Sequence, residues 1–144
     1  TASKAPFKMV ANGGQVLNTA PVYENYSRLA PEERAYLLQR IAEENITGVI
    51  FLTGDRHHTE FSSYTNFNGH AVYDLTASPL TSGTGSSRDN EHNLLRDAGT
   101  LLLQRNFGML TFSGPYTERE LLIQIFDVNG EMLWERKIEQ ENSK

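Results

Sequence analysis

The segment Gly54–His58, with the sequence Gly-Asp-Arg-His-His, holds the side chains of this chain that are best suited to chemistry. It places a carboxylate, a guanidinium and two imidazoles directly after Val49–Leu52, an apolar run typical of a buried strand. In α/β sheets, ligands bind beyond the carboxyl ends of the strands, which is where this segment would lie. Asp55 offers a hard oxygen and His57 a borderline nitrogen, and this pair of donors suits divalent or ferric metal ions.

The spacing of Asp55 and His57 determines how their side chains can meet. If the segment is extended, residues two apart point to one side, so the two side chains would converge at the carboxyl edge of the sheet, close to each other or to a shared ion. Gly54 lets the backbone turn sharply and approach an ion closely. The alternative is a helix N-terminus capped by Asp55 or Thr59, with solvated histidines.

The elements that must position this segment follow from apolar periodicity and turn residues. Pro31, followed by two glutamates, predicts the start of a helix, and Asn129-Gly130 predicts a tight hairpin turn. Strands are predicted at 7–11, 49–52, 71–75, 108–113, 120–127 and 132–138, with a turn at 12–15 and a loop at 18–30. This order predicts an α/β fold in which helix and sheet are layered and a mixed sheet ends in an antiparallel hairpin.

The chain length of 144 residues predicts a single domain over 1–144. Residues 78–93 are rich in Ser, Gly, Thr, Asp and Asn, which predicts a long mobile loop, whereas 94–103 is ambiguous. Residues 139–144 are expected to form a charged tail. The Asn129-Gly130 hairpin is expected to be structural and distant from Asp55, with Trp134 packed in the core.

Composition excludes several classes of function. The net charge of −5 argues against a nucleic-acid footprint and disfavours an anionic membrane surface. No apolar run approaches the ~20 residues of a membrane span. The absence of cysteine excludes a Cys-ligated metal site and a thiol nucleophile. There is no nucleophile elbow or P-loop, and His70 and His92 are expected on the surface or in loops.

The run Ile50–His58 resembles the last metal motif of the alkaline phosphatase D-like metallophosphatases, which belong to the calcineurin-like metallophosphoesterase superfamily. Three other stretches strengthen this resemblance, which spans most of the chain in order: Ala2–Asn18, Asp74–Gly83 and Asn106–Gly108. The early motifs of the superfamily, Asp-x-His, Gly-Asp-x-x-Asp and Gly-Asn-His-Asp/Glu, do not occur here. The resemblance therefore implies the C-terminal portion of a longer enzyme and half of a metallophosphoesterase-type sandwich.

The resemblance also implies roles for the segment after the strand. Asp55 and His57 would be metal ligands, one for each of two metal positions. Arg56 and His58 would lie behind the ligands or contact the substrate phosphate. As catalytic residues, Arg56 would donate to phosphate oxygens and His58 would protonate the leaving group. The alternatives for these two residues are a surface salt bridge and a surface histidine.

Two residues after the first predicted strand are candidates for lining the site. Gln15 falls where the superfamily usually has a metal-binding histidine, and Asn12 is a nearby competitor for that place.

The implied function is hydrolysis of small phosphate mono- or diesters through metal-bound hydroxide, with two metal ions in the full-length enzyme. The ions would be iron with calcium, or zinc or manganese, and the resemblance suggests an extracytoplasmic location. The missing N-terminal portion of the same protein would be the main partner. The isolated chain is expected to be inactive, because its two strong ligands are fewer than a catalytic site needs. The alternative is a non-catalytic α/β module that keeps the scaffold and binds a ligand or a protein.

Overall fold

The computed structural model describes residues 3–85 and 91–141, and within them it forms seven strands and two helices. In chain order these are β1 (Lys8–Ala11), α1 (Tyr26–Leu29), α2 (Pro31–Glu43), β2 (Val49–Thr53), β3 (Glu60–Thr65), β4 (Ala71–Thr76), β5 (Asn106–Ser113), β6 (Glu120–Asp127) and β7 (Met132–Glu139). Neither helix is long and apolar enough to cross a membrane.

The mixed sheet has the strand order β1-β2-β4-β3. Strands β1, β2 and β4 are parallel, and β3 runs antiparallel to β4, with Glu60 opposite Thr76. The carboxyl ends of the three parallel strands therefore share one edge, and β3 begins at that same edge. This topology gathers the loops that follow β1, β2 and β4, so the predicted strand-end location of Gly54–His58 is confirmed.

Helix α2 covers one face of the mixed sheet. Pro31 occupies its first turn and Glu32 and Glu33 follow, which suits the positive end of the helix dipole. Its apolar side packs on Val49 and Phe51 of β2 within a cluster of buried side chains. The predicted loop at 18–30 contains the short helix α1, which Asn25 caps by accepting a hydrogen bond from the amide of Arg28.

The antiparallel sheet β5-β6-β7 covers the other face. Leu121, Ile123 and Ile125 alternate along β6 and point inward, where they pack against the mixed sheet. Trp134 is buried in the same cluster and its indole nitrogen donates to the carbonyl of Thr100 at 3.1 Å. The result is a layered α/β fold of helix, mixed sheet and antiparallel sheet, as predicted.

One side of this sandwich is open in the described part of the chain. Strands β1 and β5 are both edge strands, and they lie on the same side because the rings of Phe7 and Phe112 are 5.9 Å apart. Val10 is 42% exposed and Phe112 is 47% exposed. This side therefore combines two unpaired strand edges with exposed apolar side chains, and we call it the open side.

The structure adds three details that the sequence analysis did not provide. Strand β3 was not predicted, because its buried Glu60 and Ser62 break the apolar pattern. The ambiguous stretch 94–103 has no helix or strand and runs beside β3 through single bridges at Arg96 and Leu102. At the predicted charged tail, Glu139 ends β7, and Glu141 accepts from the amide of Ala71 and contacts the ring of His70, while the tail itself stays a prediction.

The predicted loop at 78–93 lacks helix and strand at 78–85 and 91–93. Its central residues 86–90, and the tail residues 142–144, lie outside the described residues. The prediction of a single domain stays a prediction.

Candidate functional site

The loop Gly54–His58 leaves β2 with an unusual backbone. Asp55 and His57 take left-handed φ values of 64° and 57°. The amide of Arg56 donates to the carbonyl of Gly54 at 2.7 Å, which with a positive φ at Asp55 is the pattern of a strained γ-turn. The expected extended conformation is therefore wrong, and so is the alternative of a capped helix, since β3 begins at Glu60.

The loop nevertheless separates its side chains into two sets. Asp55 and His57 are exposed, while Arg56 and His58 are buried. The two exposed side chains thus lie on the outer side of the loop, and the two buried side chains lie beneath it. The predicted roles of these four residues, as ligands or as supporting residues, stay predictions.

His57 is oriented by the loop that follows β4. Its Nδ1 lies 2.5 Å from the carbonyl oxygen of Gly83, and its own carbonyl accepts from the amide of Gly85 at 2.8 Å. Because a carbonyl only accepts, Nδ1 must carry the proton, which leaves the lone pair of the neutral ring on Nε2. Metal-binding histidines are usually held in this way, so His57 fits a metal ion.

Asp55 also fits the role of a metal ligand, because its carboxylate has no partner among the described residues. Its carboxylate is exposed and makes no hydrogen bond or ion pair with the part of the chain that the structure describes. Residues 3–85 and 91–141 nevertheless contain no group of three or more His, Cys, Asp or Glu that could hold an ion. The convergence of Asp55 and His57 on a shared ion therefore stays a prediction, and these two donors are fewer than the three protein ligands of a catalytic zinc-type site.

Arg56 is an internal anchor rather than part of a surface salt bridge. It is 1% exposed, and one terminal nitrogen donates to the carbonyl of Tyr23 at 2.5 Å. The other terminal nitrogen pairs with the carboxylate of Glu91, and a carboxylate oxygen of Glu24 lies 3.7 Å from the nitrogen that donates to Tyr23. These contacts connect the loop after β2 to two distant segments, while contact of Arg56 with phosphate stays a prediction.

His58 is likewise buried and not a surface histidine. Its Nδ1 donates to the carbonyl of Arg56 at 2.9 Å. Its Nε2 has no hydrogen-bond partner among the described residues and lies 3.7 Å from a carboxylate oxygen of Glu60. Its predicted proton transfer to a leaving group stays a prediction.

Glu60 is the main buried residue that sequence reasoning missed. Its carboxylate accepts from the side-chain amides of Gln15 at 2.6 Å and Asn93 at 3.0 Å, and it pairs with Arg96. Burial alone would raise the pKa of Glu60, but the nearby His58 and the hydrogen-bonded guanidinium of Arg96 hold it at about 2. Glu60 begins a strand that was not predicted, so nothing in the neighbouring sequence indicated that its carboxylate would be buried.

Gln15 and Asn12 have different positions. Gln15 is buried, donates to Glu60 and to the hydroxyl of Thr76 at 2.8 Å, and so lies beneath the edge rather than on it. Asn12 is half-buried and borders a groove of about 480 Å³ that Asp55 also lines. Of the two predicted candidates, Asn12 is the one on the side of Asp55.

Asp74 joins the loop after β1 to the last residue of β2, and in the sequence it belongs to the stretch Asp74–Gly83 that supports the family resemblance. One of its carboxylate oxygens accepts from the amides of Val16 at 2.7 Å and Leu17 at 2.8 Å, and the other accepts from the hydroxyl of Thr53 at 2.8 Å. Burial raises the pKa of Asp74 to about 6, although these hydrogen bonds oppose the shift.

A cleft of about 740 Å³ lies beside the loop that holds His57. It is lined by Ser82, Gly83, Thr84, Leu103, Gln104, Arg105, Asp127 and Val128. Asp127 and Val128, at the start of the hairpin turn, thus share a cleft with Gly83, whereas the predicted distance of Asn129-Gly130 from Asp55 stays a prediction.

Comparisons with known proteins identify the family and the fold of this chain. A family model described as PhoD-like phosphatase matches residues 2–116. A solved structure of PhoD matches with a TM-score of 0.61 at 16% sequence identity, covering 98% of this chain and 33% of that chain. This chain thus spans about a third of the matched PhoD structure. No curated protein matches. Because the family model covers most of the sequence, this chain belongs to the PhoD-like phosphatase family.

Proposed function

We propose that this chain is the C-terminal part of a metal-dependent phosphoesterase that hydrolyses small phosphate mono- or diesters. The observation that carries this proposal is the contact between His57 Nδ1 and the carbonyl of Gly83, which leaves Nε2 available in the same loop as the exposed Asp55. A histidine fixed in one tautomer, two residues after an exposed carboxylate and at the end of a buried strand, is suited to binding a metal ion. The chain's membership of a phosphatase family supports the same reaction class.

Asp55 and His57 would hold the metal ions, which supply Lewis-acid activation of the phosphate and of the attacking water when they are bound. Gly83 would keep the ring of His57 in its binding orientation through its carbonyl. Arg56 and His58 would act as positioning residues, because both are buried and Arg56 is bound to protein groups. Asn12 would line the site on the side of Asp55.

The remaining ligands would come from polypeptide that precedes this chain in a longer protein. The matched PhoD structure is about three times as long, and the open side between β1 and β5 offers the surface against which such polypeptide would pack. We therefore infer that the isolated chain is inactive. We also infer, from the family resemblance, an extracytoplasmic location and either iron with calcium, or zinc or manganese, in the complete enzyme.

The test is hydrolysis of p-nitrophenyl phosphate and of bis-p-nitrophenyl phosphate, with zinc, manganese, iron and calcium supplied. The isolated chain should show no turnover, while the longer natural protein should show metal-dependent turnover. In the longer protein, His57→Ala and Asp55→Ala should each lower kcat/KM by more than about 100-fold, because even changes behind a ligand cost about 10- to 100-fold. The matched control is His92→Ala, an exposed histidine outside the loop, which should retain activity.

Two outcomes would contradict the proposal in different ways. Metal-dependent turnover by the isolated chain that His57→Ala abolishes would show that the fragment carries a complete site. A longer protein with no metal-dependent turnover would refute the phosphoesterase function and favour the non-catalytic binding module.

A further inference from the structure

The cleft beside His57 has the size and composition of a ligand site. Its volume of about 740 Å³ falls within the range of about 300–1,000 Å³ that small-molecule sites occupy. Leu103 and Val128 give it apolar walls, while Ser82 and Thr84 contribute hydroxyl groups. A ligand with a carbon skeleton and a few polar groups could pack against the apolar walls and form hydrogen bonds with the hydroxyl groups.

Arg105 provides the cationic group of this cleft. Its side chain is exposed, and its Nε donates to the carbonyl of Ser82 at 3.1 Å. Its two terminal nitrogens have no hydrogen bond or ion pair with the described residues, so the fork of the guanidinium remains available. In a chain of net charge −5, Arg105 is thus a positive charge in a cleft and has no ion-pair partner within residues 3–85 and 91–141.

Asp127 lies on the same cleft but does not neutralise Arg105. One oxygen of its carboxylate accepts from the amides of Glu131 at 2.9 Å and Asn129 at 2.8 Å, and these bonds lower its pKa. Asp127 is thus occupied within its own turn, and no ion pair joins it to Arg105 among the described residues.

The loop after β4 connects this cleft to the candidate metal ligand. His57 contacts the carbonyl of Gly83, and Arg105 contacts the carbonyl of the preceding residue, Ser82. A phosphate ester bound by its phosphorus end near His57 can therefore extend its leaving group along Ser82 toward Arg105.

We propose that this cleft receives the leaving-group side of the phosphate ester and that Arg105 favours leaving groups that carry a second anionic group. The inference rests on the proposed phosphoesterase function. Arg105 acts as a specificity-determining residue, since it contacts a part of the substrate that does not react. A neutral leaving group of the same shape fits the cleft but leaves the guanidinium without an anionic partner.

The experiment compares 4-carboxyphenyl phosphate with phenyl phosphate, two esters that differ by one carboxylate. Binding to the metal-free chain is followed by two-dimensional NMR of the backbone amides, so the measurement does not depend on turnover. The carboxylated ester should bind about two- to fivefold more tightly, the range expected for one exposed ion pair. It should shift the amides of Gly83, Leu103 and Val128.

Variants then assign this preference to Arg105. Arg105→Gln should bind the two esters equally, while Arg105→Lys, which keeps the charge, should retain the preference. Arg40→Gln on the exposed face of α2 is the matched control and should behave as the original chain. Because Arg105 is exposed, the spectrum of each variant also reports whether the fold is intact.

Equal binding of the two esters by the unmodified chain would overturn the proposal. A preference that survives Arg105→Gln would do the same, as would shifts spread over other exposed cationic residues, which would indicate adventitious anion binding only. The longer protein could also lack turnover while the isolated chain shows a preference that depends on Arg105. That combination would reject the phosphoesterase function but would retain the cleft as an anion-selective site.

Discussion

Two loops of this molecule place residues in the left-handed conformation, but they do so with different kinds of residue. In the turn Asp127–Glu131 the left-handed position is Gly130, with φ of 84°. In the loop Gly54–His58 the left-handed positions are Asp55 and His57. Glycine adopts this conformation without steric cost, whereas other residues lose about 1–2 kcal/mol each.

The difference shows where each conformation comes from. The turn is stabilised locally, because Asp127 accepts hydrogen bonds from the amides of Asn129 and Glu131 within it. The loop after β2 is held by long-range contacts, above all those of the buried Arg56. Strained backbone maintained by the surrounding structure is typical of functional sites, so the loop rather than the turn has the properties of a site.

Removal of the anchor should give the largest effect. Arg56→Met eliminates the buried guanidinium and separates the loop from Tyr23 and Glu91. We expect the free energy of unfolding to fall by about 3–5 kcal/mol, the usual cost of deleting one partner of a buried ion pair. Urea unfolding followed by circular dichroism measures this loss.

The matched control is Arg40→Met, which removes an exposed arginine that pairs with Glu43 and Glu44 on α2. Its cost should stay below about 1 kcal/mol. Equal, small losses in the two variants would mean that the loop does not depend on its buried anchor.

Protonation of Asp74 should give the next largest effect. Its pKa is raised from 3.8 to about 6, so the folded chain retains a proton that the unfolded chain releases. Stability should therefore decrease as the pH rises from 3.8 to about 6, by up to about 3 kcal/mol. Asp74→Asn should remove this slope from the pH dependence of the free energy of unfolding.

Two other carboxylates sharpen this prediction. Glu60 has a pKa lowered from 4.5 to about 2, so its stabilising contribution is present above pH 4.5 and is lost as the pH falls toward 2. The pKa of Asp127 in the hairpin turn is lowered as well, so Asp127→Asn should leave the slope between pH 4.5 and pH 6 unchanged. A slope that persists in Asp74→Asn would show that another group titrates there.

Glycine exchanges should give the smallest effects, with opposite signs in the two loops. Gly130→Val should lower the free energy of unfolding by about 1 kcal/mol or more, because a branched residue is forced into a left-handed position. Asp55→Gly should raise it by about 0.5–1 kcal/mol in the metal-free chain, since relief of strain exceeds the added entropy of the unfolded chain. Thermal and urea unfolding measure both changes.

Gly13→Val is the control for the first exchange, because its φ is not left-handed and a Cβ there would meet nothing within 4 Å. It should change stability by less than about 0.5 kcal/mol, as surface substitutions usually do. If Asp55→Gly instead costs as much as Gly130→Val, the backbone of the loop is not strained in the way its φ values indicate.

The features that local sequence patterns could predict are those that local physics determines. Pro31 predicted the start of α2, and Asn129-Gly130 predicted the hairpin between β6 and β7. The run Val49–Leu52 predicted a buried strand that ends at the candidate ligands. In each case the residues themselves restrict the backbone or provide the burial.

The features that could not be predicted depend on residues distant in sequence. Arg56 is buried because Tyr23 and Glu91, more than thirty positions away on either side, receive its guanidinium. Glu60 is buried because Gln15, Asn93 and Arg96 satisfy its carboxylate. The spacing of residues within the segment contains no information about such distant partners. The burial of Arg56 was therefore not predicted, and no role was assigned to Glu60.

The open side of the sandwich has a consequence for the behaviour of the isolated chain in solution. An unpaired strand edge beside apolar side chains is a template to which a strand of another molecule can add, and natural edges often carry lysine or proline that discourages this. Val10 on β1 and Met109 and Phe112 on β5 are exposed and carry no charge. Edge-to-edge aggregation is therefore the expected hazard during expression and concentration of this chain, and lysine at these positions is the natural means of suppressing it.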